Sequence, residues 1–407
     1  MSEMTESAEH RSPSLLRPRQ PGMHGKVTNI ELFFDLVFVY AVTQLSHTLL
    51  RDLSVLGAVH VLLLFLSVWW VWIFTGWITN WLDPDRFAVR VLVLALMFAG
   101  LLLSVALPEA FDGHGLMFAS AYASMQVGRS LFMVWALRAS TPAARLNFYR
   151  ITLWFAVAGV LWVMGGLATD AARLAWWTIA LAIEYMGPAA YFYVPGLGRS
   201  NTREWDVEGG HLAERCSLFV MIALGESVVV MGSSFAEGTR TADLWFAFLM
   251  AFVGCVAMWW IYFDLGVERG SRSIIQSTDP GRTARLGYTY LHLLIVAGIV
   301  ACAVGDELSL AHPLATAQTA QIAVLLGGPA LYLLGNGLFK MTVNHTNFPL
   351  SHLVGVGLLA ALAWPAHALP VVALATATTL LLVGVALWET ISLRNLRREL
   401  YAAQAQE

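Results

Sequence analysis

Residues 31–47 read ELFFDLVFVYAVTQLSH, and this stretch decides the fold class. It has the apolar density of a membrane-spanning helix, yet Glu31 and Asp35 stand among Phe, Leu and Val. A carboxylate at the centre of a span costs roughly 2.5–3.5 kcal/mol on insertion scales. At 100° per residue Glu31, Asp35, Phe38, Val42 and Ser46 fall on one stripe, so both carboxylates must turn toward protein or water and away from lipid. Glu31 sits at the edge of the span, and Asp35 lies one turn deeper, roughly 6 Å.

Comparable apolar runs recur along the whole chain. Of its 407 residues 58% are hydrophobic and 13% are charged, where a soluble domain carries about 25% charge. The expectation is an all-α polytopic, multi-pass transmembrane bundle. Runs of about 20 apolar residues predict twelve spans, near 30–50, 57–78, 87–107, 116–137, 149–168, 174–194, 211–234, 242–263, 285–304, 317–339, 350–366 and 369–390. With both termini cytoplasmic, nineteen of the 24 Lys and Arg fall on the cytoplasmic side and only Arg51, Arg173 and Arg240 outside, as the positive-inside rule requires.

Short matches recur in order along the two halves. WLDPDRFAVRVL answers to STDPGRTARLGY, and VALPEAFDGHGL to AVGDELSLAHPL, which sets Glu109 against Glu307 and His114 against His312. Glu184 falls near Glu389. Two parallel six-helix repeats are therefore expected at 27–195 and 211–390. They are flanked by a disordered cytoplasmic tail (1–26), a cytoplasmic linker (196–210) and a second cytoplasmic tail (391–407). The N-terminal tail lacks the layout of a cleaved signal peptide, so the first span is expected to act as the insertion signal.

The seventh span repeats the device of the first in other letters. His211, Arg215, Ile222 and Glu226 share a stripe, with Glu214 beside it. Glu226 lies about 22 Å along that helix, a proton-relay candidate. Arg129, mid-span, and Arg215 are the candidate cations, and Arg215 is placed to fork onto Glu31 or Asp35 if the first and seventh helices are neighbours. Glu109, His114, Glu307 and His312 form a candidate outer vestibule. The tryptophan pairs Trp69–Trp70, Trp176–Trp177 and Trp259–Trp260 read as interfacial belts, and Gly165–Gly166 and Gly327–Gly328 as helix-packing or kink positions. Histidine spacing gives no metal motif, and Cys216, Cys255 and Cys302 have no paired spacing. No phosphate loop, dinucleotide fingerprint or nucleophile elbow is present. Neither cofactor nor metal is expected.

VTNIELFFDLVFVYAVTQLSHTL, HLAERCSLFVMIALGES, WWIYFD and YTYLHLLIVAGIVACAVGDELSLAHP resemble the bacterial low temperature requirement protein A family over about residues 24–390. That resemblance implies a membrane protein linked to growth in the cold, a stress-response role, and carries no settled activity. FFDLVFVYAVT is also similar, in part, to the Phe-Ser-Asp-Ala motif of an endolysosomal potassium channel family with two six-helix repeats. Phe34 and Asp35 match that motif, whereas span seven has Leu218 near the expected Asp. The leading expectation is an ion or small-solute pathway, transporter or channel, where the halves meet. The alternatives are an intramembrane or lipid-modifying enzyme and a structural component whose charges pair helices. Expected partners are membrane lipids, the ion or solute and a second copy of the chain as a homodimer, with no nucleic acid.

Overall fold

The computed structural model describes residues 14–18, 26–201, 205, 207–264 and 279–394. The rest of the expected tails and linker lies outside the described residues. The described chain is helical, with only isolated β-bridges besides. Among the described residues twelve longer helices follow in order: α1 (Asn29–Arg51), α2 (Val55–Trp81), α3 (Phe87–Ala106), α4 (Gly115–Ala136), α5 (Pro142–Leu167), α6 (Asp170–Ala189), α7 (Gly209–Glu237) and α8 (Ala242–Phe263). Next comes α9, which begins as an α-helical turn (Pro280–Thr283), passes through a π-helical stretch (Ala284–Leu291) and continues as α-helix (His292–Ala311). The series ends with α10 (Thr319–Asn344), α11 (Leu350–Leu362) and α12 (Val371–Ser392). Nine of these helices are long and apolar enough to cross a membrane. The others, α4, α6 and α11, are more polar or shorter.

Local chemistry sets the boundaries. Ser54 Oγ accepts Gly57 N–H, Thr141 Oγ1 accepts Ala144 N–H ahead of Pro142, and Thr241 Oγ1 accepts Leu244 N–H, each satisfying an orphan donor of a first turn. Glu31 is the third residue of α1 and reaches back to the cap: its Oε2 accepts Thr28 N–H and Thr28 Oγ1–H, both at 2.9 Å. Thr28-Asn29-Ile30-Glu31 thus has the spacing of a capping box.

In the first half α1 packs on α2 and α3, α2 on α6, α3 on α4, α4 on α5 and α5 on α6. In the second half α7 packs on α8 and α9, α8 on α12, α9 on α10, α10 on α11 and α11 on α12. The halves meet where α1 and α2 touch α7 and α9. Where α9 and α10 cross, a Cβ on Gly298 would meet Tyr332 N at 2.5 Å, and one on Gly328 would meet Cys302 N at 2.9 Å. Only small residues permit so close an approach of backbones.

The tryptophan expectation needs correction. Trp69, Trp70 and Trp177 are fully buried in the bundle, while Trp259 and Trp260 are exposed. Two of the buried indoles find acceptors, as burial demands: Trp69 N–H donates to Thr289 O and Trp177 N–H to Trp162 O.

Residues 14–18 of the N-terminal tail are packed. Leu16 bridges to Leu82, and Arg17 Nε donates to Thr79 O and Leu82 O at the C-terminus of α2. The end of the bundle where they pack also holds the start of α1 and of α7, and is the inner end if the N-terminus faces the cytoplasm as expected.

Candidate functional site

The seam between α1 and α7 carries the densest buried charge. His211 and Arg215 are one turn apart on α7, as Glu31 and Asp35 are on α1. The four residues pair as two rungs. His211 Nε2 lies 2.8 Å from Glu31 Oε1, and Arg215 Nη2 donates to Asp35 Oδ1 at 2.7 Å. Both rungs join residues 180 apart in sequence, so α1 and α7 run in the same direction. Arg215 Nη1 is 3.4 Å from Glu31 Oε1, and all four side chains are at most 1% exposed.

Neighbouring elements complete the cluster. Trp72 of α2 donates its indole N–H to Asp35 Oδ1 at 2.8 Å, and Arg17 Nη2 donates to Glu31 Oε2 at 2.8 Å. Asn80 Nδ2 donates to Glu208 O and lies 3.2 Å from His211 Nδ1, while Asn80 Oδ1 accepts Glu208 N–H. Glu208 caps α7 by accepting Gly210 N–H and His211 N–H. The imidazole meets Asn80 Nδ2 at Nδ1, and both Glu31 Oε1 and, at 3.3 Å, Arg17 Nη2 at Nε2. The guanidiniums of Arg17 and Arg215 thus face the Glu31 and Asp35 carboxylates around the imidazole, with the Glu208 carboxylate engaged at the α7 cap. Hydrogen-bonding capacity is not fully used. Asp35 Oδ2 and Arg215 Nε and Nη1 are buried with no hydrogen-bond partner among the described residues.

Further along the same seam the lining changes. Phe34 and Phe38 of α1, Phe219 of α7 and Trp69 and Trp72 of α2 pack together in tilted and edge-on contacts, with Trp72 and Phe219 centroids 4.2 Å apart. Beyond this aromatic block Glu226 faces the Thr43 hydroxyl and His47 of α1. Glu226 is 2% exposed and its Oε1 has no partner among the described residues. Glu307 of α9 lies within electrostatic reach of His47, Glu226 and Glu237.

The other expected residues fall elsewhere. Glu214 sits at the edge of the cluster, where its Oε2 accepts Val27 N–H at 3.1 Å. Arg129 lies in the core of the first half. Its Nη1 donates to Val71 O and Thr75 Oγ1, and its Nη2 bonds Gln126 Oε1. Gln126 Nε2 in turn donates to Glu184 Oε2, which also accepts Tyr122 O–H, while Trp162 N–H reaches Glu184 Oε1. Glu109 and His114 pair with each other at 3.2 Å, both about half exposed, and His312 is exposed. Of the four vestibule candidates only Glu307 joins the seam.

Several residues of interest were not singled out from the sequence: Arg17, Trp72, Asn80 and Glu208 in the cluster, Lys340 as the partner of Glu389, and Asp306. Lys340 Nζ donates to Glu389 Oε2 at 2.6 Å, with His352 Nδ1 3.6 Å from Glu389 Oε1. Asp306 lines a cavity with Thr378, Thr379 and Pro329 in the second half. His292 has both nitrogens engaged, Nε2 with Tyr262 O–H at 2.7 Å and Nδ1 with Gly287 O at 2.9 Å.

Together these features define a multi-pass helical membrane protein with a buried, charged seam between two groups of helices. The chain matches the family described as "Bacterial low temperature requirement A protein (LtrA)" over residues 26–387, and it belongs to that family. It is 41% identical over 368 residues to an uncharacterized protein of Rhizobium meliloti (strain 1021), covering 90% of each chain. No solved structure matches.

Proposed function

We propose that this protein forms a proton-linked pathway for an ion or small solute along the α1–α7 seam. In this reading all twelve helices cross the bacterial inner membrane, as two parallel six-helix repeats with both termini cytoplasmic. The repeat is supported by the six helix–helix contacts that recur in the same order in each half. It is supported too by Tyr122, Gln126 and Glu184 in one half against Tyr332, Asn336 and Glu389 in the other: Tyr and amide are one turn apart on the fourth helix, with the Glu on the sixth. The rungs of constant spacing fit halves inserted in the same orientation.

One observation carries the functional reading. The charged cluster is buried at the junction of the halves, yet Asp35 and Arg215 keep unused hydrogen-bonding atoms. A buried ionic cluster that only clamps helices gains most when every atom is satisfied, because each unmet group costs about 1–3 kcal/mol. Unused atoms on both members of a pair leave room for a proton or ion to exchange partners. Glu226 and Glu307 form the outer end of the path, and the Phe38–Trp72–Phe219 block closes it between the two polar regions. Intramembrane ionisable groups facing a bundle interior commonly mark ion routes and proton relays.

A second reading has its own support. The Arg215–Asp35 contact has the geometry of a helix clamp, and a clamp alone accounts for both rungs. Flux of protons and potassium into liposomes decides between the two readings, using wild type, Asp35→Asn and Glu226→Gln, each checked by thermal unfolding. The pathway predicts flux in wild type that disappears in a folded Glu226→Gln variant. Absence of flux in every protein, with Asp35→Asn strongly destabilised, would leave the clamp.

A further inference from the structure

Away from the α1–α7 seam, a cleft opens at the inner end between α2, α5 and the π-helical stretch of α9. Its walls include Phe74, Trp77, Trp81, Phe148 and Phe155.

Four polar side chains line this largely apolar space: Ser130 and Thr289 are engaged by Val127 O and the Trp77 N–H, which leaves Asn147 and Arg285. Asn147 is 8% exposed, makes no side-chain hydrogen bond among the described residues, and has its Oδ1 sealed from solvent. Arg285 is 9% exposed. Its Nη1 donates to Pro188 O at 2.5 Å and its guanidinium lies over the Tyr191 ring, and no carboxylate pairs with it among the described residues. A guanidinium has five N–H donors, so most of its capacity is unspent. The bond to Pro188 places the cation at the C-terminal end of α6, where a helix favours positive charge. That accounts for Arg285 in part. It accounts neither for the unpartnered amide of Asn147 nor for the aromatic space beside them.

Depth separates the polar head of the cleft from its apolar body. Trp81 is the last residue of α2, Asn147 and Phe148 stand in the second turn of α5, and Arg285 lies near the start of α9. Phe155 is eight residues beyond Asn147 on α5, about 12 Å deeper into the bundle. The charged and amide groups therefore lie nearer the end of the helices, and the aromatic walls continue inward.

We propose that this cleft binds a single-chain anionic amphiphile. Its carboxylate or phosphate head meets Arg285, which is suited to bidentate recognition of either, and takes a hydrogen bond from the Asn147 amide. Its hydrocarbon chain runs inward past Phe155. A fatty acid and a lysophospholipid share this chemistry.

The test is equilibrium binding to the purified full chain in a neutral maltoside detergent. The probes are labelled palmitate, lysophosphatidylglycerol, uncharged monopalmitoylglycerol and inorganic phosphate. Saturable binding of one anionic amphiphile per chain is expected, at least tenfold tighter than the uncharged lipid or phosphate. Palmitate bound tighter than lysophosphatidylglycerol would name a fatty acid as the natural class, and the reverse order a phospholipid. Arg285→Gln should weaken binding tenfold or more, and Ile151→Trp, which fills the cleft, should weaken every amphiphile. Thermal unfolding checks that both variants fold, and the comparison of charged with uncharged probes on wild type needs neither. Equal affinity for palmitate and monopalmitoylglycerol would overturn the proposal. So would phosphate binding as tightly as the amphiphiles, unchanged affinity in both folded variants, or no saturable binding at all.

Discussion

Two buried carboxylate networks in this molecule solve the same problem differently. Within the first half, both oxygens of Glu184 are taken, by Tyr122, Gln126 and Trp162. Arg129 approaches Glu184 only through Gln126, and its other bonds go to Val71 O and Thr75 Oγ1. At the junction of the halves Asp35 and Arg215 touch directly, yet one oxygen and two nitrogens of the pair stay unused. The first network satisfies its acid fully, leaving Arg129 Nε unmet among the described residues, and is internal to one group of helices. The second leaves both its acid and its base unmet and is shared between two groups. A carboxylate whose oxygens are all taken favours one arrangement of its helices, whereas one with a spare oxygen can trade partners at lower cost.

The sharpest way to break this comparison is Arg215→Gln. It leaves Asp35 and Glu31 buried with one cation fewer, and breaking a buried ion pair from one side costs about 3–5 kcal/mol. Thermal unfolding in detergent should show the largest loss of any substitution discussed here. Adding Asp35→Asn should restore much of it, because the orphaned charge goes too; a double mutant as unstable as the sum of the singles would deny the coupling.

Glu184→Gln comes next. Three donors converge on that carboxylate, and an amide offers a single acceptor oxygen with an NH₂ group that meets a donor. The cost of unmet buried groups, about 1–3 kcal/mol, should appear in unfolding. Proton flux should be unchanged, since this network stands outside the proposed path. Flux lost in a folded Glu184→Gln protein would erase the functional contrast between the two networks.

Much of the helical framework was legible because hydropathy registers long apolar runs, and α1, α2 and α3 are examples. The paired charges were legible only as parts. The sequence shows Glu31 and Asp35 on one stripe and His211 and Arg215 on another, but a contact across 180 residues depends on packing that no local period encodes. The burial of Trp69 and Trp70 was misread, since an indole suits an interface and a satisfied core equally well. The π-helical stretch 284–291 left no pattern, because its spare carbonyls are met by groups distant in sequence: Trp69 reaches Thr289 O and Cys216 reaches Tyr288 O. Asp306 was passed over beside Glu307, although the seam carboxylate and the cavity-lining one are adjacent in the chain.

Arg17 was the least legible of all, and it supports the smallest prediction. It belongs to a tail rich in Ser, Pro and Arg, a composition that signals disorder, yet it spans from the carbonyls ending α2 to Glu31 on α1. Its side chain is 15% exposed while Glu31 is buried, so water can reach the place it vacates and Arg17→Gln should cost less than Arg215→Gln, about 1–2 kcal/mol. The effect on flux should exceed the effect on stability. Glu31 would lose one of its two cations while His211, Arg215 and the Thr28 cap still hold it, and the inner mouth of the seam would lose the side chain that covers it. Faster proton uptake by Arg17→Gln liposomes, with an unfolding temperature near that of wild type, would make the tail a latch on the junction. Unchanged uptake would confine Arg17 to anchoring the tail and place control of the seam deeper, at the Asp35–Arg215 rung.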